Sequence, residues 1–439
     1  MPEIVTIILC LGPFLSKREI KQLCSLVEAL LCMSGRVTMV GLSRWTGCGC
    51  SYRTIQRFFA QPREWGRLLW AVVEAYLVKE KRVWLLAVDE VVVNKAGKTT
   101  YGVGRFYSSI AGRPIGALSF LAASVVDVTA RKAYPVQIEQ RLPLPKTAKP
   151  DTLSTKRGRG RPKGSTNHAK AAPVLNAELR LLDGLLGRLL KRIGVLQVRH
   201  LVMDGFFGNY SASWLAKQHG LHLISKLRSN AVLYLPYSGS KPRRGPTPRY
   251  GQRLDYAALP QDSLVSTVTE GRFVTQTHAL TLLHKDFPDP LKVVILVKTD
   301  ARSAKRSHVV LFSTDLALAP AQLADYYALR FQIEFNFRDA KQYFGLDDFM
   351  NVSSPAVSNA VGLAFLMSNL SAVLLAAQRA QQPDFSILDL KVLFRARRYL
   401  HETIIALPNT PPPNIISGLW QRLSSLGAIR SLDNLKIAA

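Results

Sequence analysis

Nine residues at positions 82–90, RVWLLAVDE, are apolar from Val83 to Val88 and stop at a pair of carboxylates. An unbroken apolar run of that length reads as a buried strand. A second strand, VRHLVMD at residues 198–204, also ends at an acid and comes just after the amphipathic helix AELRLLDGLLGRLLKRI. The stretches YGVGRFYSS and ALSFLAASVVDV follow the first run across short turns with Gly112, Pro114 and Gly116. That spacing predicts an antiparallel meander rather than immediate strand–helix–strand crossovers. The fold class is therefore mixed α/β.

Both strands stop at an acid. An ionised carboxylate is expensive to bury, and strand ends of this kind commonly line a crevice. Asp89 and Asp204 are candidate site residues on this ground, although either alone can be a strand cap. Glu90 points to the opposite face of its strand from Asp89. Two acids far apart in sequence call for a third.

The third is in ADYYALRFQIEFNFRDAKQYFGL. On one helix at about 100° per residue, Tyr327, Arg330, Glu334, Arg338 and Lys341 share a stripe roughly 80° wide. A core-facing stripe is apolar, so this one is a solvated face or a face that grips a polyanion. Ion pairs between Arg330, Glu334 and Arg338 are the plain alternative. They leave Tyr327 and Lys341 on the same line unexplained.

Charge favours the polyanion. The 439 residues hold 58 Lys plus Arg against 30 Asp plus Glu, a net +28, while 48% are hydrophobic. A disordered basic tail, a disulfide scaffold and a collagen-like fibre are excluded. A folded, strongly positive surface seeks nucleic acid before an anionic membrane. The longest apolar stretch, residues 360–377, is interrupted by Ser368, Asn369 and Ser371 and reads as a buried helix. Cys48 and Cys50, with an odd total of five cysteines and no histidine at ligand spacing, read as reduced cytosolic residues.

Residues 15–78 read as short helices. Within VGLSRWTGCGCSYRTIQRFF a glycine-containing turn leads to a Ser51-capped helix with Ile55, Phe58 and Phe59 inward and Arg53, Gln56 and Arg57 outward. That is the pattern of a helix-turn-helix, and Arg53 and Arg57 are candidate DNA contacts. Residues 141–170 hold nine basic residues and one acid among many Pro, Gly, Ser and Thr, the composition of an exposed insertion. Residues 230–318 hold short β-like runs, and a long helical region is expected from near Pro320 to about Arg379.

The spacing Tyr327-x2-Arg330-x3-Glu334-x6-Lys341 resembles the YREK signature of DDE transposases from bacterial insertion sequences. The resemblance extends to Asp89, to Asp204 in its Asp-Gly-Phe setting and to the β-rich stretch before Glu334. It implies an RNase H-like core split by a β-rich insertion. The expected divisions are a helical DNA-binding domain at 1–78, core at 79–229 and insertion at 230–318. Core resumes at 319–380, and a helical tail follows at 381–439.

It further implies that Asp89, Asp204 and Glu334 are the catalytic and metal-binding triad, holding two Mg²⁺ with Mn²⁺ as substitute. Arg330 and Lys341 would grip phosphates beside the cut, and Tyr327 would position the terminal backbone. Partners implied are double-stranded DNA, as transposon ends and target, and a second copy in a homodimer; the setting implied is the bacterial cytoplasm, nucleoid-associated, with no membrane. Some relatives stack a flipped base on a tryptophan of the insertion, but residues 230–318 contain none. The segment KRGRGRPKG resembles an AT-hook, with Arg159, Arg161 and Lys163 along a narrow A·T minor groove. The competing expectations are an RNase H-like nuclease without joining activity and a catalytically inert DNA-binding protein.

Overall fold

The computed structural model describes residues 2–47, 50–79, 82–108, 111–143, 172–242 and 244–429. Five helices come first: α1 (Pro2–Ile8), α2 (Lys17–Cys32), α3 (Met39–Trp45), α4 (Tyr52–Ala60) and α5 (Trp65–Tyr76). Ser16 and Glu19 cap α2 reciprocally. Ser51 caps α4, whose Ile55, Phe58 and Phe59 are buried while Arg53 and Arg57 are exposed. Across the turn between α3 and α4, Thr46 donates a hydrogen bond to the Cys50 carbonyl. Cys48 lies outside the described residues.

A twelve-stranded mixed sheet follows. Its first strands are β1 (Trp84–Asn94), β2 (Gly104–Ser108), β3 (Arg113–Asp127) and β4 (Lys132–Arg141). β3 runs antiparallel to β1 on one side; its other edge takes β2 beside residues 113–117 and β4 beside 119–127. α6 (Ala177–Ile193) then leads to β5 (His200–Met203), and α7 (Tyr210–Gln218) to β6 (His222–Leu227). β5 lies parallel to β1, and β6 parallel to β5. The order β4-β3-β1-β5-β6 is thus a meander joined to two crossover strands.

The β-rich stretch extends this same sheet. It contains β7 (Leu233–Pro236), β8 (Tyr250–Arg253), β9 (Leu264–Glu270), β10 (Phe273–His284), β11 (Leu291–Asp300) and β12 (Arg306–Ser313). β12 pairs antiparallel with β6 and carries the sheet on to β11 and β10.

The long helical region expected from Pro320 to Arg379 is made of three helices: α8 (Pro320–Leu329), α9 (Gln332–Phe344) and α10 (Ser354–Arg379). At the first break the amides of Arg330 and Ile333 bond three residues back instead of four. Gly345, at φ +78°, ends α9 in a left-handed conformation where a Cβ would also strike Val37. α11 (Ile387–Ala406) and α12 (Pro413–Ser425) complete the chain.

The two sheet faces carry separate cores. Leu86, Val88, Leu201 and Met203 pack under α6 and α7. Leu85, Ala87 and Val91 face the other way, into a core shared with α1–α5 and α8–α11. That core crosses residues 78 and 380 without a break, so the N-terminal helices are built onto the sheet. Asn359, fully buried on α10, donates to the carbonyls of Phe59 and Gln61 and accepts from the Trp65 indole at 2.8 Å. The Trp65 ring lies where a side chain at Gly362 would stand. α10 is long and apolar enough to cross a membrane, yet 67% of its apolar window is buried in this core.

Candidate active site

β1 and β5 are joined in parallel with Leu86 beside Leu201, Ala87 beside Val202 and Val88 beside Met203. The next pair in that register is Asp89 and Asp204. Strand β1 does not end at Asp89, as the sequence suggested, but continues to Asn94, and its unbroken burial gives way at the acid. The apolar residues 91–93 prolong the strand because β3 remains beside them. β5 stops one residue before Asp204. There a short 3₁₀ turn takes over, with the Asp204 carboxylate accepting the Phe206 amide at 3.1 Å. Ser225 on β6 donates to the Asp204 carbonyl at 2.6 Å.

Glu334 reaches the pair from the first turn of α9. Arg330 makes the link: its Nη1 donates to Asp89 Oδ2 and its Nη2 to Glu334 Oε1 at 3.2 Å. The two carboxylates stand one guanidinium apart. Its Nε is buried without a hydrogen-bond partner. Burial pushes the Asp89 carboxyl up to about 6, opposed by Arg330 and helped by the charges of Asp204 and Glu334. Tyr327, half-buried, lies beside Arg330 within the field of Asp89 and Asp204. Burial raises its phenol as well.

The remaining candidates divide. Lys341 touches none of the three acids. Its Nζ donates to the Val92 carbonyl at 2.7 Å, three residues along β1 from Asp89, and lies 3.9 Å from Asp347. Arg338 turns aside to Asp339 at 2.9 Å and lies over the Phe335 ring. The helix break at Arg330 leaves Tyr327 on α8 and Glu334, Arg338 and Lys341 on α9, so no single ideal helix carries the whole stripe. Glu90 pairs with Ser119 and Arg141 on the other face. Arg53 and Arg57 are exposed on α4, whereas Arg159, Arg161 and Lys163 lie outside the described residues.

Two neighbours went unnoticed in the sequence. Lys226 on β6 bends over the turn after Asp204, its Cε 3.2 Å from where a Cβ on Gly205 would stand. Its signal was one exposed lysine between buried Ser225 and Leu227. Phe206, whose amide donates to the Asp204 carboxylate, is itself 63% exposed.

Carboxylate oxygens suit hard divalent ions. Among the described residues no three Asp, Glu, His or Cys side chains are grouped tightly enough to hold one ion in this arrangement. The donor set nevertheless fits such an ion, because a cation, Arg330, already bridges two of the three acids and leaves its own Nε unsatisfied.

No match was found among curated proteins. The family model described as DDE superfamily endonuclease matches residues 10–282, which takes in α2–α7, Asp89 and Asp204 and stops short of Glu334.

Proposed function

The chain belongs to the DDE superfamily endonucleases, and from that membership we propose a DDE transposase of the YREK-signature group with an RNase H-like core. Such a protein binds the ends of an insertion sequence, cuts them and joins them to target DNA. One observation carries the reading: Arg330 bridges Asp89 and Glu334, and Asp204 follows directly on the β5 residues paired with β1 before Asp89, near enough for its charge to act on Asp89. The order β4-β3-β1-β5-β6 supports the RNase H-like core, and the following strands support its β-rich insertion.

Enzymes of this superfamily use divalent metals. Asp89, Asp204 and Glu334 would hold them here, with Mg²⁺ the expected ion and Mn²⁺ its substitute. When bound, the ions supply Lewis acidity at the attacking and leaving oxygens of an in-line phosphodiester displacement. The chain's own residues bind and orient. Arg330 and Lys341 hold phosphates flanking the cut, Tyr327 steadies the terminal backbone, and Arg53 and Arg57 on α4 carry contacts to the end sequence. The segment around Arg159, Arg161 and Lys163 adds A·T-rich minor-groove contacts, and two copies act on the two ends.

The test uses a duplex carrying the inverted repeats that flank the gene. Asp89→Asn, Asp204→Asn and Glu334→Gln are expected to abolish Mg²⁺-dependent cleavage while retaining end binding in a gel shift. Undiminished cleavage by any of the three overturns the triad. Joining of the cut end to a supercoiled plasmid separates a transposase from a nuclease that only cuts.

A further inference from the structure

Arg330 sits in the space that the three acids frame. Its guanidinium is 15% exposed and is shared between Asp89 on the sheet and Glu334 one helical turn away. An arginine bound for good in a carboxylate cage satisfies its fork, because leaving a buried donor unpaired is costly. This one does not. Nε is buried and unpaired, and the bond to Glu334 is long at 3.2 Å. The residue also stands at the break between α8 and α9, where the backbone bonds three residues back and the regular helical ladder is interrupted. Among the described residues, the other cation of the signature, Lys341, is engaged with the Val92 carbonyl and does not neutralise the acids.

We propose that Arg330 is a built-in counter-cation, lying between Asp89 and Glu334 until divalent ions and a DNA phosphate together displace it. The inference rests on the reading of Asp89, Asp204 and Glu334 as metal ligands. Without DNA, an incoming ion competes with a tethered positive charge for the same oxygens, and the free protein holds metal weakly. With DNA, the guanidinium exchanges two carboxylates for a phosphate that its fork fits bidentately, and the cage is left to the metal. The arginine thereby couples metal loading to DNA binding, and an enzyme with no DNA to cut is loaded only weakly.

The experiment is Mn²⁺ binding to the full chain without DNA, read by calorimetry and by the electron paramagnetic resonance of free Mn²⁺. Wild type, Arg330→Gln, Arg330→Lys and Asp89→Asn are compared. Arg330→Gln is expected to bind Mn²⁺ about tenfold or more tightly than wild type, a change of about 1.4 kcal/mol. Arg330→Lys, which keeps the charge but cannot bridge, falls between them and serves if the glutamine variant does not fold. Equal or weaker binding by the variant that folds overturns the inference. Asp89→Asn separates the two levels. If it binds Mn²⁺ as wild type does, the metal-ligand reading itself fails. If it loses the ion while the Arg330 variants match wild type, only the counter-cation role fails.

Discussion

Lys341 Nζ is hydrogen-bonded to the carbonyl of Val92, on the strand that carries Asp89 and roughly 10 Å along it from that acid. The helix bearing Glu334 is thereby latched to the strand bearing Asp89, by a side chain whose ammonium also lies 3.9 Å from Asp347.

For Lys341→Ala the expected result is a fall in single-turnover end cleavage on the order of 10²-fold, the size of losing one positioning contact at a phosphoryl-transfer site. Arg330→Gln should lose cleavage comparably, and the double variant far less than the product, since both grip one substrate. Normal cleavage by both well-folded single variants would remove the helix from the chemistry and leave the acids alone to support it.

Asn359 predicts a large stability effect with no chemistry involved. Asn359→Leu strands the Trp65 indole N–H and the Phe59 carbonyl in the core, whereas the Gln61 carbonyl keeps Arg63 as a donor. At roughly 1–3 kcal/mol for each of the two unpaired groups, the loss is expected to be at least about 2 kcal/mol. Urea unfolding of the two proteins measures it; a difference below 1 kcal/mol, on the order of a single exposed contact, would mean that water reaches those groups.

Lys391 on α11 is buried against the carbonyls of Leu30 and Tyr343, and burial lowers its ammonium from 10.5 to about 8. Between those values the unfolded chain keeps a proton that the folded protein has released. On this account stability rises as pH increases through that window, by on the order of 3 kcal/mol in all, and the penalty is fully present below pH 8. Lys391→Met cannot titrate. The difference between wild type and this variant, followed by unfolding from pH 7 to 10.5, isolates the slope; a flat difference would place the ammonium in water.

Arg159→Ala with Arg161→Ala tests the basic segment. Binding to A·T-rich duplex is expected to weaken more than binding to G·C-rich duplex in fluorescence anisotropy at one salt concentration. Equal losses on both would reduce the segment to a phosphate-binding linker.

Much of the site's inventory was legible because burial leaves marks on local sequence. The strands ending at Asp89 and Asp204 were legible in their apolar residues. Their adjacency was not legible: 115 residues separate them, and register across that distance is decided by how α6 packs on the sheet. The helix break at Arg330 also left no local trace, since neither glycine nor proline occurs between Ala321 and Phe344. Arg338 shares α9 with Glu334, and only its side chain departs from the stripe, turning to Asp339 and the Phe335 ring. Asn369, which interrupts the apolar stretch, proved an internal fastener, donating to the Pro135 carbonyl at 2.9 Å. A buried asparagine and an exposed one look alike in sequence until their partners are known.

On the proposed reading, the fastening of α4 to α10 through Asn359 would make the protein a caliper. With α4 as the helix that reads the end sequence, the jaw that recognises and the jaw that cuts are cast in one piece. Each base pair inserted between the recognised bases and the cut point displaces the target phosphate by about 3.4 Å and about a tenth of a turn. A hinge would absorb that displacement, but a caliper measures it. The spacing from recognition bases to the transposon terminus is then a length stored in the packing of Phe59, Trp65 and Asn359.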